Sequence, residues 1–206
     1  MVLIRSPRYV ARMIATDEGT PFATLSPDLI VDAVEAAGFP SDGRVLALGS
    51  YENRVYQVGL EDAEPVVVKF YRPGRWTDAA IAEEHAFARE LAAAEIPVVA
   101  PLEPQASEAL GDGPVPVFGE FRFAIYPRRG GQWPELGTPD ERQWIGRFLG
   151  RIHLVGGAGR FVHRPQLSVA SMGRGSVAYL LREDQMADYI RHRYELVTGE
   201  LLDRVE

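Results

Sequence analysis

The chain holds 22 basic residues, and all but one of them are arginine. The single lysine, Lys69, lies inside "PVVVKFYRP", residues 65–73, the most strand-like run in the sequence. Strand alternation sends Val66, Val68 and Phe70 to one face and Val67, Lys69 and Tyr71 to the other. An ammonium in that position has two readings. It is an edge-strand charge that snorkels to water and discourages aggregation, or it is a compact point charge held for an anionic ligand.

Two neighbouring segments bear on the choice. Along the helical run 78–94, at ~100° per residue, Glu84 falls in the centre of a stripe made by Ile81, Ala88 and Leu91, whereas Glu83 lies well off it. A carboxylate aimed at a core needs a partner, because burying it unpaired costs roughly several kcal/mol. Lys69 lies one element upstream; the alternative is a Glu84 solvated at the rim of the stripe. The second segment is the turn "GSYENRVYQV", which brings together Gly49, Ser50, Arg54 and Asn53, the only asparagine in the chain. A hairpin turn needs little more than its Gly and Asn, and one glycine is a weak phosphate-loop signal. Taken together, the three segments have a mechanical meaning. The loop covers the phosphates of a nucleotide, the lysine neutralises two of them, and the glutamate fixes the lysine. Arginine fits such a place poorly, since a wide planar fork does not sit where an ammonium reaches between phosphate and carboxylate.

The elements that must position these residues follow from local signals. "SPDLIVDAVEAAG" predicts a helix over 27–37, with Ser26 as cap, Pro27 in the first turn and Gly38 as a left-handed stop. The period then alternates through "RVLALGS", "NRVYQVGL" and "PVVVKFY", an antiparallel meander. A second helix follows over 78–94, capped by Thr77 or Asp78, with Ile81, Phe87, Ala88 and Leu91 on one face. "IPVVAPLEP" reads as an extended strand or linker, and "GPVPVF" with "FRFAIYP" as a further hairpin. These pieces make a small α+β lobe.

Beyond "RRGGQWPELG" the pattern is helical. Thr138 and Glu141 form a capping box with Pro139 in the first turn, and Trp144, Ile145, Phe148, Leu149 and Ile152 form the apolar stripe of a helix ended by Gly156 and Gly157. "HRPQLSVASMGRGS" reads as an irregular loop, and "REDQMADYIRHRYELVTGELLDRVE" as a last helix with a potential break at Gly199. The resulting organisation is an extension over 1–20, a nucleotide-type lobe over 21–127 and a partial helical lobe over 128–206.

Composition narrows the classes. With 206 residues, 46% hydrophobic and 10% aromatic, the chain suits a packed globular fold. A formal charge of −7 speaks against a nucleic-acid surface. The absence of cysteine excludes disulfides and thiolate metal sites. No run approaches the ~18 apolar residues that cross a bilayer. A cytoplasmic monomer without membrane or nucleic-acid partners is the expectation.

The blocks "SYENRVYQV", "VVVKFYRPGRWT", "EEHAFARELAAAEIPVVAP", "GRFLGRIH" and "FVHRP" resemble, in order and spacing, the YihE-type bacterial stress response kinases, Ser/Thr kinases of the aminoglycoside-phosphotransferase-like group. The resemblance covers roughly residues 20–170. It implies a protein-kinase-like α+β fold with a hinge near Tyr126 and Pro127, ATP and magnesium as cofactors, and a protein substrate of unknown identity. Residue by residue, it implies an ATP contact at Ser50, with Asn53 in the same turn, a phosphate grip by Lys69, its pairing with Glu84, and an adenine pocket lined by Val55 and Val67 and bordered by Tyr126. The departure from the family pattern is specific. A His-Gly-Asp-x-His-x-x-x-Asn loop, with its base and magnesium-holding Asn, has no counterpart, since no histidine precedes Gly-Asp and no asparagine follows position 53. No catalytic residue or metal ligand is therefore assigned, and Asp184, Asp188 and Asp203 read as solvated surface. The expectation is a kinase chain cut before its catalytic loop; the alternatives are a small-molecule phosphotransferase acting on choline, homoserine or an aminoglycoside, and a non-catalytic nucleotide-binding module.

Overall fold

The computed structural model describes residues 21–205, apart from Ala106 and residues 183–185. The expected extension over 1–20 and Asp184 lie outside the described residues. Helix α1, Pro27–Ala36, starts where Ser26 Oγ accepts the Leu29 N–H, and it stops at Gly38, whose φ of 88° suits glycine. Strands β1 (Ser41–Leu48), β2 (Arg54–Leu60) and β3 (Val66–Phe70) form the expected meander. Helix α2, Asp78–Ala93, is capped by Thr77, and a 3₁₀ turn occupies Glu108–Leu110. The hairpin of β4 (Val117–Phe118) and β5 (Phe121–Pro127) completes an antiparallel sheet in the order β1-β2-β3-β5-β4. The segment "IPVVAPLEP" is not a strand. It runs beside β5, with the Leu102 N–H donating to the Ile125 carbonyl at 2.7 Å, and its prolines keep it from adding a full ladder.

Register gives the sheet its two faces. Val68 stands opposite Tyr56 and Ile125, and Phe70 opposite Arg54 and Phe123. Val66, Val68 and Phe70 are buried with Phe121, Phe123 and Ile125 beneath Ile30, Ala33 and Val34 of α1, in the main core. Each fully buried side chain of this kind contributes roughly 1.5–3 kcal/mol. The opposite face carries Lys69 and is covered by α2, through a smaller cluster of Tyr71, Ile81, Val115 and Ala124. The two helices thus divide the sheet between them, and the lysine face belongs to α2.

Helix α3, Pro139–Gly157, begins with the expected capping box: the Thr138 side chain accepts the Glu141 N–H, and Glu141 reaches back to the Thr138 N–H. The described chain divides into two compact units, one ending at His163 and one beginning at Arg164. Residues 127 and 128, where the sequence reading divides its two lobes, both belong to the first of these units. In the second unit the expected loop holds a π-helical turn over Val169–Arg174, which runs into helix α4, Gly175–Arg182. The two glycines and three serines of that stretch hid its helical turns, because their propensity is low; Ser168 and Ser171 instead form a reciprocal cap at the start of the π-helical turn. Helix α5, Asp188–Val205, is continuous through Gly199. Asp203 pairs with Arg174 at 2.8 Å and Asp188 is almost fully exposed. No described helix is long and apolar enough to cross a membrane.

Candidate nucleotide site

Cross-strand pairing builds the site's floor. Leu48 stands opposite Val55, Val55 opposite Lys69, and Lys69 opposite Ala124. One step along, Leu46 pairs with Gln57, Gln57 with Val67, and Val67 with Tyr126. Directly opposed residues of an antiparallel sheet share a face, so Val55, Val67, Ala124, Tyr126 and Lys69 lie together. Val55 and Val67 are half-buried, as a ligand floor requires, and Ala124 is buried.

Lys69 projects from this floor toward α2, where its Nζ meets Glu84 Oε1 at 3.0 Å. The two side chains keep 22% and 33% of their exposure, so the pair is sheltered yet reachable from solvent. The Nζ also lies 4.4 Å from the centre of the Tyr71 ring, a cation–π contact that steers the ammonium. The Tyr71 hydroxyl in turn meets His85 Nε2 at 2.7 Å and the Tyr126 hydroxyl at 3.4 Å. Burial holds the His85 imidazole down at about 4, so it is neutral at pH 7. Burial likewise raises the Tyr126 phenol above its ordinary value.

The turn between β1 and β2 is held by its own side chains. Ser50 Oγ donates to the Asn53 carbonyl at 2.9 Å, and Asn53 Oδ1 accepts the Arg72 N–H at 3.2 Å, just after β3. Glu52 accepts from Trp76 Nε1 at 2.9 Å and from Arg75 Nε at 3.2 Å. Burial works to raise the Glu52 carboxyl, but these two hydrogen bonds together with the Arg75 and Arg72 charges outweigh it and leave it below its ordinary value. Asn53 and Glu52 therefore tie the turn to the segment 72–76 that follows the strand carrying Lys69. Apart from its chain neighbours, nothing stands within 4 Å of where a Gly49 side chain would begin. Among the described residues no group of three or more His, Asp or Glu side chains can hold a metal ion.

A β-strand lysine paired with a glutamate from the following helix is the arrangement that holds nucleotide phosphates in kinases, and residues 43–203 match the phosphotransferase enzyme family. The chain belongs to the phosphotransferase enzyme family. It is 43% identical over 148 residues to Stress response kinase A of Escherichia coli K12, an alignment covering 72% of this chain and 43% of that protein. It is 41% identical over 154 residues to the serine/threonine protein kinase RdoA of Salmonella typhimurium, covering 75% of this chain and 45% of that one. The chain thus spans less than half the length of these curated relatives. Among solved structures, an amicoumacin kinase in complex with AMP-PNP, Ca²⁺ and Ami matches with a TM-score of 0.60 at 17% identity, over 84% of this chain and 53% of the other. That likeness concerns the fold.

Within this phosphotransferase family member the structure brings Val55, Val67, Lys69, Glu84 and Tyr126 to one face, while Ser50 and Asn53 stand in the adjoining turn with their side chains engaged within the protein. Sequence reasoning did not single out Tyr71, Glu52 or His85. Tyr71 was legible, since it shares the Lys69 face by alternation. His85 left no signal, because one histidine on a helix looks the same whether buried or exposed.

Proposed function

We propose that this chain carries the nucleotide grip of a protein kinase: ATP lies on the Val55, Val67 and Tyr126 face, its α and β phosphates are neutralised by Lys69, and Glu84 holds that lysine in place. The observation that carries the reading is the 3.0 Å Lys69–Glu84 pair on a face floored by half-buried valines. In such a site Glu84 fixes the ammonium before nucleotide arrives, so little ordering is left to lose on binding. The turn at 49–53, closed by Ser50 and tied down by Asn53 and Glu52, covers the phosphates with its backbone.

Transfer of the γ-phosphoryl group to a protein serine or threonine is the further part of the proposal. Its support is the 41–43% identity to relatives named as kinases. The 206 residues hold no His-Gly-Asp loop, so they supply the grip rather than the base. We expect them to bind ATP without turning it over. Labelled ATP offered with a protein acceptor and a series of amino alcohols, to the longest product of the gene, tests the acceptor class. Label on protein serine or threonine is the expected result, and label only on a small alcohol would overturn the protein-kinase reading.

A further inference from the structure

Glu83 points away from Lys69, toward the segment that follows α3. Its Oε1 accepts the Val162 N–H at 2.5 Å and its Oε2 accepts the His163 N–H at 2.9 Å, so both carboxylate oxygens hold consecutive backbone donors. Phe161, next in line, packs edge-on against Phe87 of α2 with ring centres 5.1 Å apart. Gly156 lets the end of α3 come close: a side chain there would begin 3.3 Å from the Phe87 ring. Arg151 of α3 donates to the carbonyls of Ala94 and Glu95 at the end of α2, at 3.1 and 3.2 Å. The face of α2 away from the sheet is therefore met at Glu83 and Phe87, and just past its C-terminus, by Arg151, Gly156 and residues 161–163.

We propose that the 161–163 segment is a tether that sets the rotation of α2, with Glu83 and Phe161 as positioning residues for the Lys69–Glu84 pair. Glu83 and Glu84 are adjacent, so on a helix their side chains leave about 100° apart. Fixing Glu83 to a backbone segment fixes where Glu84 can reach. Release of the tether lets α2 roll, and the glutamate leaves the lysine. The inference rests on the nucleotide reading only for its consequence on ATP.

The single lysine gives a direct readout. In protein grown with lysine labelled at Cε, one side-chain signal reports the surroundings of Lys69. Glu83→Gln and Phe161→Ala are expected to move that signal in the free protein toward its position in Glu84→Gln, with the far-UV spectrum retained, and to weaken binding of an ATP analogue about fivefold. Phe161→Leu is expected to restore most of the wild-type position, and Glu90→Gln to leave it unchanged. A Lys69 signal that stays at its wild-type position in both Glu83→Gln and Phe161→Ala overturns the tether. Because that signal needs no nucleotide, it decides the tether even if the wild-type chain fails to bind the analogue, a failure that would count against the nucleotide reading alone.

Discussion

Glu84 and His85 are neighbours on α2, and they meet the sheet in different ways. Glu84 pairs with an ammonium at the mouth of the site, whereas His85 is buried against Tyr71 as a neutral ring. A histidine held down at about 4 when folded takes up a proton near pH 6.5 once unfolded. Its contribution to stability is therefore complete above pH 6.5 and is lost as the pH falls toward 4, a change of about 3 kcal/mol. Urea unfolding followed from pH 7 to pH 4 is expected to show this loss, and the His85→Leu variant to lack that part of it; identical pH profiles would remove His85 from the account. Lys69 and Glu84 were legible because each is odd in its setting: the only lysine inside an apolar strand and a carboxylate on an apolar stripe. His85 and Glu83 were not legible, since their roles depend on elements that meet them from elsewhere in the chain.

The elements follow from punctuation that is mostly written in the sequence. Ser26 and Pro27 start α1, Thr77 starts α2, and the Thr138–Glu141 box starts α3. Gly38 ends α1 at a φ of 88°, where an alanine is strained. We expect Gly38→Ala, which strains the left-handed backbone and also sets a Cβ into clash with the Gln105 side chain, to cost at least about 1–2 kcal/mol in urea unfolding, whereas Gly130→Ala, with open space around it and an ordinary backbone, stays within about 0.5 kcal/mol. Equal effects at the two sites would contradict the left-handed stop. The sequence was least informative just before α4, where serines and glycines usually mark loops but here the Ser168–Ser171 exchange caps the π-helical turn that runs into that helix. Alternation placed Lys69 opposite the valines, yet only the tertiary arrangement gives each face its own helix.

At the scale of the whole molecule, burial is uneven. Every buried residue among those described lies between Phe22 and Ile125, and none lies in α3, α4 or α5. The apolar stripe expected on α3 is present in the sequence, but Trp144 and Leu149 remain 55% and 51% exposed. The packed part of the chain is thus the part that carries Val55, Val67, Lys69, Glu84 and Tyr126. Nucleotide binding is expected to belong to that part alone, whatever acceptor the family member uses. The most direct test is the lone Lys69 Cε signal of the chain, followed as AMP-PNP is added. The account predicts a saturable shift of that signal, abolished when Glu84→Gln removes the carboxylate that holds the ammonium. A signal that stays fixed throughout the addition would contradict it.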